Sequence, residues 1–208
     1  MAFVAIDKVG IELEGGWLAS HALPASARTV GDGSVHVLGQ WGHHGEVVST
    51  PMASIEEAEA YMLAAYPDGH NASCGMRAHV SFKKMNDYSR LLTTEFWNYF
   101  TARMNEWGAR TRLPQSPLFW SRLAGLNRYC EKAFRPDVQA QARHKSGERY
   151  TQLNYCFKFH GTIECRLAPV FKQPRIAISF IKELCAIYES FLADRTHAEE
   201  HVVTGDLV

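Results

Sequence analysis

The sequence has no excess of charge of either sign. Its 208 residues include 22 Lys and Arg against 22 Asp and Glu, so the formal net charge is zero with the ten histidines neutral. Nucleic acid and anionic membrane surfaces attract proteins through a general positive field, which this composition does not supply. We therefore expect no polymeric nucleic acid as a partner, although a local basic site is still open.

Cysteine pairs at metal-binding spacing are also absent. The five cysteines are odd in number and widely spread, and no two of them form a CxxC pair. This pattern indicates neither a structural zinc site nor a disulfide framework. The simplest interpretation is a set of reduced thiols in a cytoplasmic protein.

Long hydrophobic runs are missing as well. No apolar stretch approaches the roughly 18 residues that a membrane-spanning helix needs. The first residues, MAFVAIDK, lack the basic flank and cleavable apolar segment of a signal peptide. We expect no membrane span and a cytoplasmic location.

Hydrophobic residues nevertheless make up 46% of the chain and aromatic residues 12%, which predicts a packed core rather than disorder. The length predicts one domain, over residues 1–193, followed by a polar tail at 194–208. Periodicity predicts strands at 9–14, where Gly15 and Gly16 end the strand, and at 46–50, 74–82, 150–157 and 162–167. Capping signals predict helices that begin near residues 54, 87, 116 and 175, of which the second ends at Gly108 and the third near Tyr129. Residues 25–45 are predicted to form a loop or irregular hairpin. The order predicts an α+β domain with a mainly antiparallel sheet and helices packed on one side.

Two glutamates lie on the first predicted strand. Glu12 and Glu14 are two residues apart, so their side chains point to the same face. Burying either carboxylate unpaired costs several kcal/mol, and a divalent cation would resolve the repulsion. Oxygen ligands without cysteine favour Mg²⁺ or Mn²⁺ over zinc. The alternative is an edge strand with one solvated face.

Two later strands carry further polar residues on one face. Glu164 and Arg166 share a face of the strand at 162–167, which suits either an ion pair or a site that holds metal and phosphate together. Arg77, His79 and Ser81 follow one another at period 2 after the Gly75 entry. Such a run fits a functional site and a set of hydrogen-bonded structural residues equally well.

Taken in order, these segments resemble the amidoligase family of the carboxylate–amine ligase superfamily, which also contains glutamine synthetase and glutamate–cysteine ligase. The similar stretches span residues 9–170 and are GIELE at 10–14, DGS at 32–34, EVVSTP at 46–51, CGMRAHVS at 74–81, RYTQLN at 149–154 and TIECRL at 162–167. The resemblance implies a fold like the catalytic domain of glutamine synthetase. It also implies an ATP-dependent enzyme that forms an amide or isopeptide bond through an acyl phosphate.

Metal-binding roles follow from the same resemblance. By position, Glu14 and Glu46 would hold one Mg²⁺ or Mn²⁺ ion, and Glu12 and Glu164 the other. The family has histidine where this chain has Arg77. An arginine donates only and cannot ligate a metal, so the second metal is expected to be weak or missing, with Arg77 supplying positive charge.

The remaining roles concern nucleotide and substrate. His79 and Ser81, with Arg77, would lie by the ATP phosphates, and Arg149 and Arg166 would neutralise the transferring phosphoryl group. Asp32 is the further catalytic residue and one of several candidates for the base that deprotonates the amine, beside Glu46, His43 and His44. The basic loop 133–148 would close over the intermediate and exclude water.

Other functions compete with the ligase. An ATP:guanidino phosphotransferase of the same superfamily would leave a stable phosphorylated product. A metal-dependent hydrolase would turn over without ATP. A catalytically reduced module would bind nucleotide or peptide only, and Arg77 is the feature that keeps this alternative open. The ligase would need two substrates, a small-molecule or peptide carboxylate and an amine. Because glutamine synthetases build their sites between subunits, assembly of this chain into a homo-oligomer is also possible.

Overall fold

A computed structural model describes residues 3–111, 116–128, 130–131, 150–156 and 160–194. Its strands form a single antiparallel sheet of six. They are β1 (Ile6–Trp17), β2 (Ala27–Val30), β3 (His43–Ser49), β4 (Met76–Phe82), β5 (Leu153–Tyr155) and β6 (Ile163–Cys165). Their order across the sheet is β2-β3-β1-β4-β6-β5, so the long strand β1 is central.

Five helices accompany this sheet in the described residues. They are α1 (Ile55–Ala65), α2 (Met85–Leu91), α3 (Thr94–Arg110), α4 (Pro117–Leu123) and α5 (Pro174–Ala193). Together they confirm the predicted α+β class with a mainly antiparallel sheet. The likeness to the catalytic domain of glutamine synthetase stays a prediction, as does the division into one domain and a tail, since residues 195–208 lie outside the described part.

The predicted end of the first strand at Gly15 and Gly16 is wrong, because β1 continues to Trp17. Both glycines stay in the ladder, opposite Gly45 and His44 of β3. A Cβ on Gly15 would lie 2.5 Å from Pro67 Cβ. These glycines therefore do not form a turn. They leave room for neighbouring segments that pack closely against the strand.

The region predicted at 25–45 as a loop or irregular hairpin contains β2, which pairs antiparallel with β3 from Ala27 to Val30 and so forms one arm of a hairpin. Other boundaries differ from prediction. The two strands predicted at 150–157 and 162–167 are shorter, with three residues each in β5 and β6. The helix predicted to start at residue 116 ends at Leu123, not near Tyr129.

The long helix predicted from Asp87 to Gly108 is two helices. Thr93 has extended backbone, and its hydroxyl accepts a hydrogen bond from Phe96 N at 3.2 Å. This N-cap starts α3 directly after α2 and breaks the run. The cap predicted for α1 is present: the Ser54 hydroxyl accepts from Glu57 N at 3.2 Å.

The hydrophobic core lies on one face of the sheet. Alternate residues of the central strands, such as Ile11, Leu13, Ala78 and Val80, are almost completely buried. Helix α5 lies against β1, and α1 and α3 pack on α5. Of the helices in the described residues, none is long and apolar enough to cross a membrane. The intervening residues of the strands face the other way, and that face carries the polar residues.

The start of β1 is attached to α5 through one carboxylate. Glu189 accepts hydrogen bonds from the backbone N–H groups of Val4 (2.9 Å), Ala5 (2.9 Å) and Ile6 (3.1 Å). Hydrogen bonds to a charged acceptor are stronger than neutral ones. This contact fixes the first residues of the central strand on the helical layer.

Replacing Glu189 with Ala should therefore lower the free energy of unfolding by about 1–3 kcal/mol, measured by urea denaturation. Glu59→Ala is the matched control, because it removes a glutamate whose ion pair with Lys182 is exposed (40% and 47% of the side chains). That variant should lose less than about 1 kcal/mol. Equal losses in the two variants would contradict an anchoring role for Glu189.

Candidate functional site

The register of four strands brings the polar residues into rows on the face of the sheet opposite the hydrophobic core. Glu14 lies opposite Glu46 of β3, and Glu12 lies opposite Arg77 of β4. His79 lies opposite Glu164 of β6. Side chains directly across an antiparallel pair are close neighbours, so the pairing itself assembles the cluster.

Arg77 lies at the centre of this cluster. Its Nη1 atom lies 2.9 Å from Glu12 Oε2 and 3.1 Å from Glu46 Oε2. Its Nη2 atom bonds Glu14, and its Nε atom lies 3.7 Å from Glu164 Oε1. The Arg77 side chain is only 17% exposed. Burial would lower its pKa, but the four carboxylates raise that pKa above the ordinary value, so Arg77 is a permanent buried cation.

The four glutamates predicted as metal ligands therefore do converge on one place. They fall into two groups within which the candidate ligand atoms all lie within 4.8 Å of one another. These groups are Glu14, Asp32 and Glu46, and Glu12, His79 and Glu164. The pairing of Glu14 with Glu46, and of Glu12 with Glu164, is the one that the amidoligase resemblance implies.

The group Glu14, Asp32 and Glu46 has the donor chemistry of a magnesium or manganese site. It offers three carboxylates and no softer ligand, which hard divalent cations prefer. Burial, followed by the charge of Glu12, raises the pKa of Glu46 to about 7, so this carboxyl is only partly ionised near neutral pH, and a cation at the group would favour its ionised form.

The group Glu12, His79 and Glu164 is already neutralised by the protein. Glu164 accepts hydrogen bonds from Arg166 Nη1 at 2.5 Å and from Asn154 Nδ2 at 2.6 Å. Burial would raise the pKa of Glu164, but the charges of Arg166, His79 and Arg77 lower it. These partners leave little need for a second cation, in keeping with the expectation drawn from Arg77.

His79 connects the two carboxylates of that group. Its Nε2 atom lies 2.9 Å from Glu12 Oε1, close enough for an ion pair but not aligned for a hydrogen bond. Nε2 is buried without a hydrogen-bond partner among the described residues. Burial would lower the pKa of His79, but its contacts with Cys156 and Glu12 and the charge of Glu164 raise it to about 10. His79 is therefore an imidazolium, which must lose a proton before it can ligate a metal.

Two predicted phosphate-binding residues have other partners. The Ser81 hydroxyl accepts from Lys8 N at 3.1 Å and lies 3.4 Å from Lys8 O, beyond the His79 row. Arg166 pairs with Glu164 and places its guanidinium 5.3 Å from the centre of the Tyr150 ring. Arg149 and the predicted lid at 133–148 lie outside the described residues.

The predicted catalytic residue Asp32 lies with Glu14 and Glu46 in the first of the two groups, and its role as a base stays a prediction. Of the other candidate bases, Glu46 is in the same group. His43 packs its ring 5.5 Å from the Trp17 ring, and His44 is exposed.

Sequence reasoning missed two residues beside the glutamates: Asn154, which donates to Glu164, and Arg122, whose charge acts on Glu14. Asn154 could have been found from the sequence, because it is a single polar residue between two buried apolar residues of a strand. Arg122 has no such signal, because α4 brings it to the sheet from far along the chain. Its Nη1 atom donates to Ala168 O at 2.6 Å. A Cβ on Gly75 would lie 3.2 Å from Arg122 Nη1 and 3.3 Å from Glu14 Oε2, so glycine lets these two groups approach.

Comparison with protein-family models, with curated proteins and with solved structures finds no match to this chain. Its function must therefore be argued from the site.

The charge on His79 predicts a pH dependence of stability. The folded chain holds this proton up to about pH 10, whereas an unfolded histidine releases it near pH 6.5. Stability from this contact is complete below pH 6.5 and is lost as the pH rises toward 10. In metal-free protein, the free energy of unfolding of wild type should fall between pH 7 and 8.5 more steeply than that of His79→Gln, by about 1 kcal/mol per pH unit.

The exposed His44→Gln variant serves as control and should keep the wild-type slope, since it leaves the His79 contacts intact. Parallel slopes for wild type and His79→Gln in urea denaturation would show that His79 is not an imidazolium in the folded chain.

Proposed function

We propose that this chain is an ATP- and divalent-cation-dependent ligase that joins a carboxylate to an amine through an acyl phosphate. One observation carries the proposal. Four glutamates from three strands meet around Arg77 of a fourth strand, on the face of the antiparallel sheet opposite the hydrophobic core, grouped as the amidoligase resemblance implies.

The chemistry explains why such a face would be needed. A free carboxylate is a poor electrophile, so its oxygen first attacks the γ-phosphorus of ATP, which forms the acyl phosphate and releases ADP. The amine nitrogen then attacks the carbonyl carbon, the C–O bond to phosphate breaks, and the amine proton leaves with the hydrogen phosphate. Both steps need positioning and charge neutralisation more than covalent help from the protein.

The side chains divide this work. Glu14, Asp32 and Glu46 would hold Mg²⁺ or Mn²⁺, which supplies charge neutralisation at the ATP phosphates when bound. Arg77 supplies a fixed positive charge beside this group, and its place is set by three hydrogen-bonded glutamates. Arg166 adds a second guanidinium, held by Glu164. These cations would face the transferring phosphoryl group and the incoming carboxylate.

A test that does not require the acceptor amine uses hydroxylamine, which traps acyl phosphates as hydroxamates. Purified protein with ATP and Mg²⁺ should release ADP and form a hydroxamate with one carboxylate from a pool of amino acids and short peptides. Glu14→Gln should reduce both products at least about 100-fold, because it removes a cation ligand, while the fold is kept.

Glu183→Gln is the matched control. Glu183 ties α5 to Arg103 and Arg110 of α3, and both distances are 2.8 Å. This variant changes a partly buried glutamate contact away from the polar face and should retain turnover. Full activity of Glu14→Gln would contradict the cation assignment. Binding of Mg·ATP without hydroxamate from any carboxylate would contradict the ligase.

A catalytically reduced module that binds nucleotide or peptide is the second candidate. The observation that favours it is that Arg77 already contacts all four glutamates, where the family has histidine. In such a module the Arg77 guanidinium would take the place of a metal ion, and ATP would bind without being hydrolysed or transferred.

The role of Arg77 as a built-in cation can be tested by Mn²⁺ titration with electron paramagnetic resonance. Arg77→His should strengthen Mn²⁺ binding about tenfold above pH 7, because it removes a fixed charge and adds a neutral nitrogen ligand. Arg77→Lys keeps the charge and should bind Mn²⁺ as wild type does. Equal affinities of the His and Lys variants would show that the charge of Arg77 does not oppose cation binding.

A further inference from the structure

One carboxylate of the proposed cation group reaches the sheet from a loop. Glu14 and Glu46 project from paired strands, whereas Asp32 belongs to the connection between β2 and β3, residues 31–42. Strands hold ligands precisely, but a loop does so only where packing fixes it. The position of Asp32 beside Glu14 and Glu46 therefore needs a physical cause.

Trp41, near the end of that loop, packs on two glycines. Gly16 of β1 and Gly69 exchange backbone hydrogen bonds of 2.8 and 3.0 Å. A Cβ on Gly16 would lie 2.5 Å from Trp41 Cδ2, and a Cβ on Gly69 would lie 2.2 Å from Trp41 Cη2. The indole thus lies directly on backbone, in a space that any other residue at these two positions would fill.

The position of this contact links it to the site. Gly16 is two residues after Glu14 on β1, so the indole covers the same face of the sheet, next to Glu14. The loop is fixed at other points too. Trp41 Nε1 donates to Val37 O at 3.2 Å, Asn71 Nδ2 donates to His36 O at 2.5 Å, and Val35 is buried.

Gly39 supports the same arrangement. Its φ of +135° is a conformation that favours glycine, and its own Cβ would lie 3.0 Å from the indole ring. The loop therefore folds back closely over the Trp41 side chain, which lies between the loop and the two glycines.

We propose that Trp41 is a positioning residue: by packing on Gly16 and Gly69 it holds residues 31–42 so that Asp32 completes the cation group with Glu14 and Glu46. This inference rests on the cation binding in the proposed function. It adds that the third ligand depends on an aromatic contact outside the ligand set.

Mn²⁺ affinity of the full chain, measured by electron paramagnetic resonance, tests this inference through a double-mutant cycle. Trp41→Ala and Asp32→Asn should each weaken Mn²⁺ binding about tenfold, as expected for the loss of a ligand or of its support. The double variant should be no weaker than either single one, because both changes remove the same contribution. Trp41→Phe, which keeps an aromatic ring, should recover most of the wild-type affinity.

Gly69→Ala provides a second way to displace the indole without removing it, and should also weaken Mn²⁺ binding, even if Trp41→Ala does not fold. Wild-type affinity in Gly69→Ala or Trp41→Ala, or losses that add in the double variant, would overturn the positioning role while leaving the cation site standing. Absence of Mn²⁺ binding by the wild-type chain would instead overturn the proposed function, and this inference with it.

Discussion

The polar face of the sheet depends on the guanidinium of Arg77. Four glutamates within reach of one another on a largely buried surface would repel strongly, and removing one partner from such a network costs several kcal/mol. Arg77 contacts all four of them. Because their positions follow from the pairing of β1 with β3 and β4, and of β4 with β6, the strand register and the charge cluster stabilise each other.

The neutralisation is uneven, and this unevenness is the basis of the functional argument. On one side, Glu12 and Glu164 have His79, Arg166 and Asn154 as additional partners. On the other side, Glu14, which also accepts a hydrogen bond from Gly75 N, and Glu46 share Arg77 with a third carboxylate, Asp32, beside them. A cation is therefore most favourable at one of the two groups, which suits an enzyme with one strong metal site as well as a binding module that has lost the other.

The parts of the site that lie on strands could be predicted from sequence. The period-2 pattern places Glu12 and Glu14 on one face, and Arg77 and His79 on another strand in the same way, so the clustering follows once the strands pair. The support of the cluster could not be predicted. Arg122 and Trp41 come next to the cluster only through packing between distant parts of the chain. Glycines at positions 15 and 16 locally favour the end of a strand, but here they lie within β1 because close neighbours leave no room for a side chain. The break between α2 and α3 depends on one N-cap, Thr93, inside a continuous helical pattern.

The most direct test of this account is anomalous X-ray scattering from crystals of the chain grown with Mn²⁺ and a non-hydrolysable ATP analogue. The account predicts a manganese peak bounded by the carboxylates of Glu14, Asp32 and Glu46, with the phosphates of the analogue beside Arg77. Arg77 still in contact with all four glutamates, and no manganese at this group at millimolar concentration, would contradict it. The face would then be an ion-pair network that serves the fold alone.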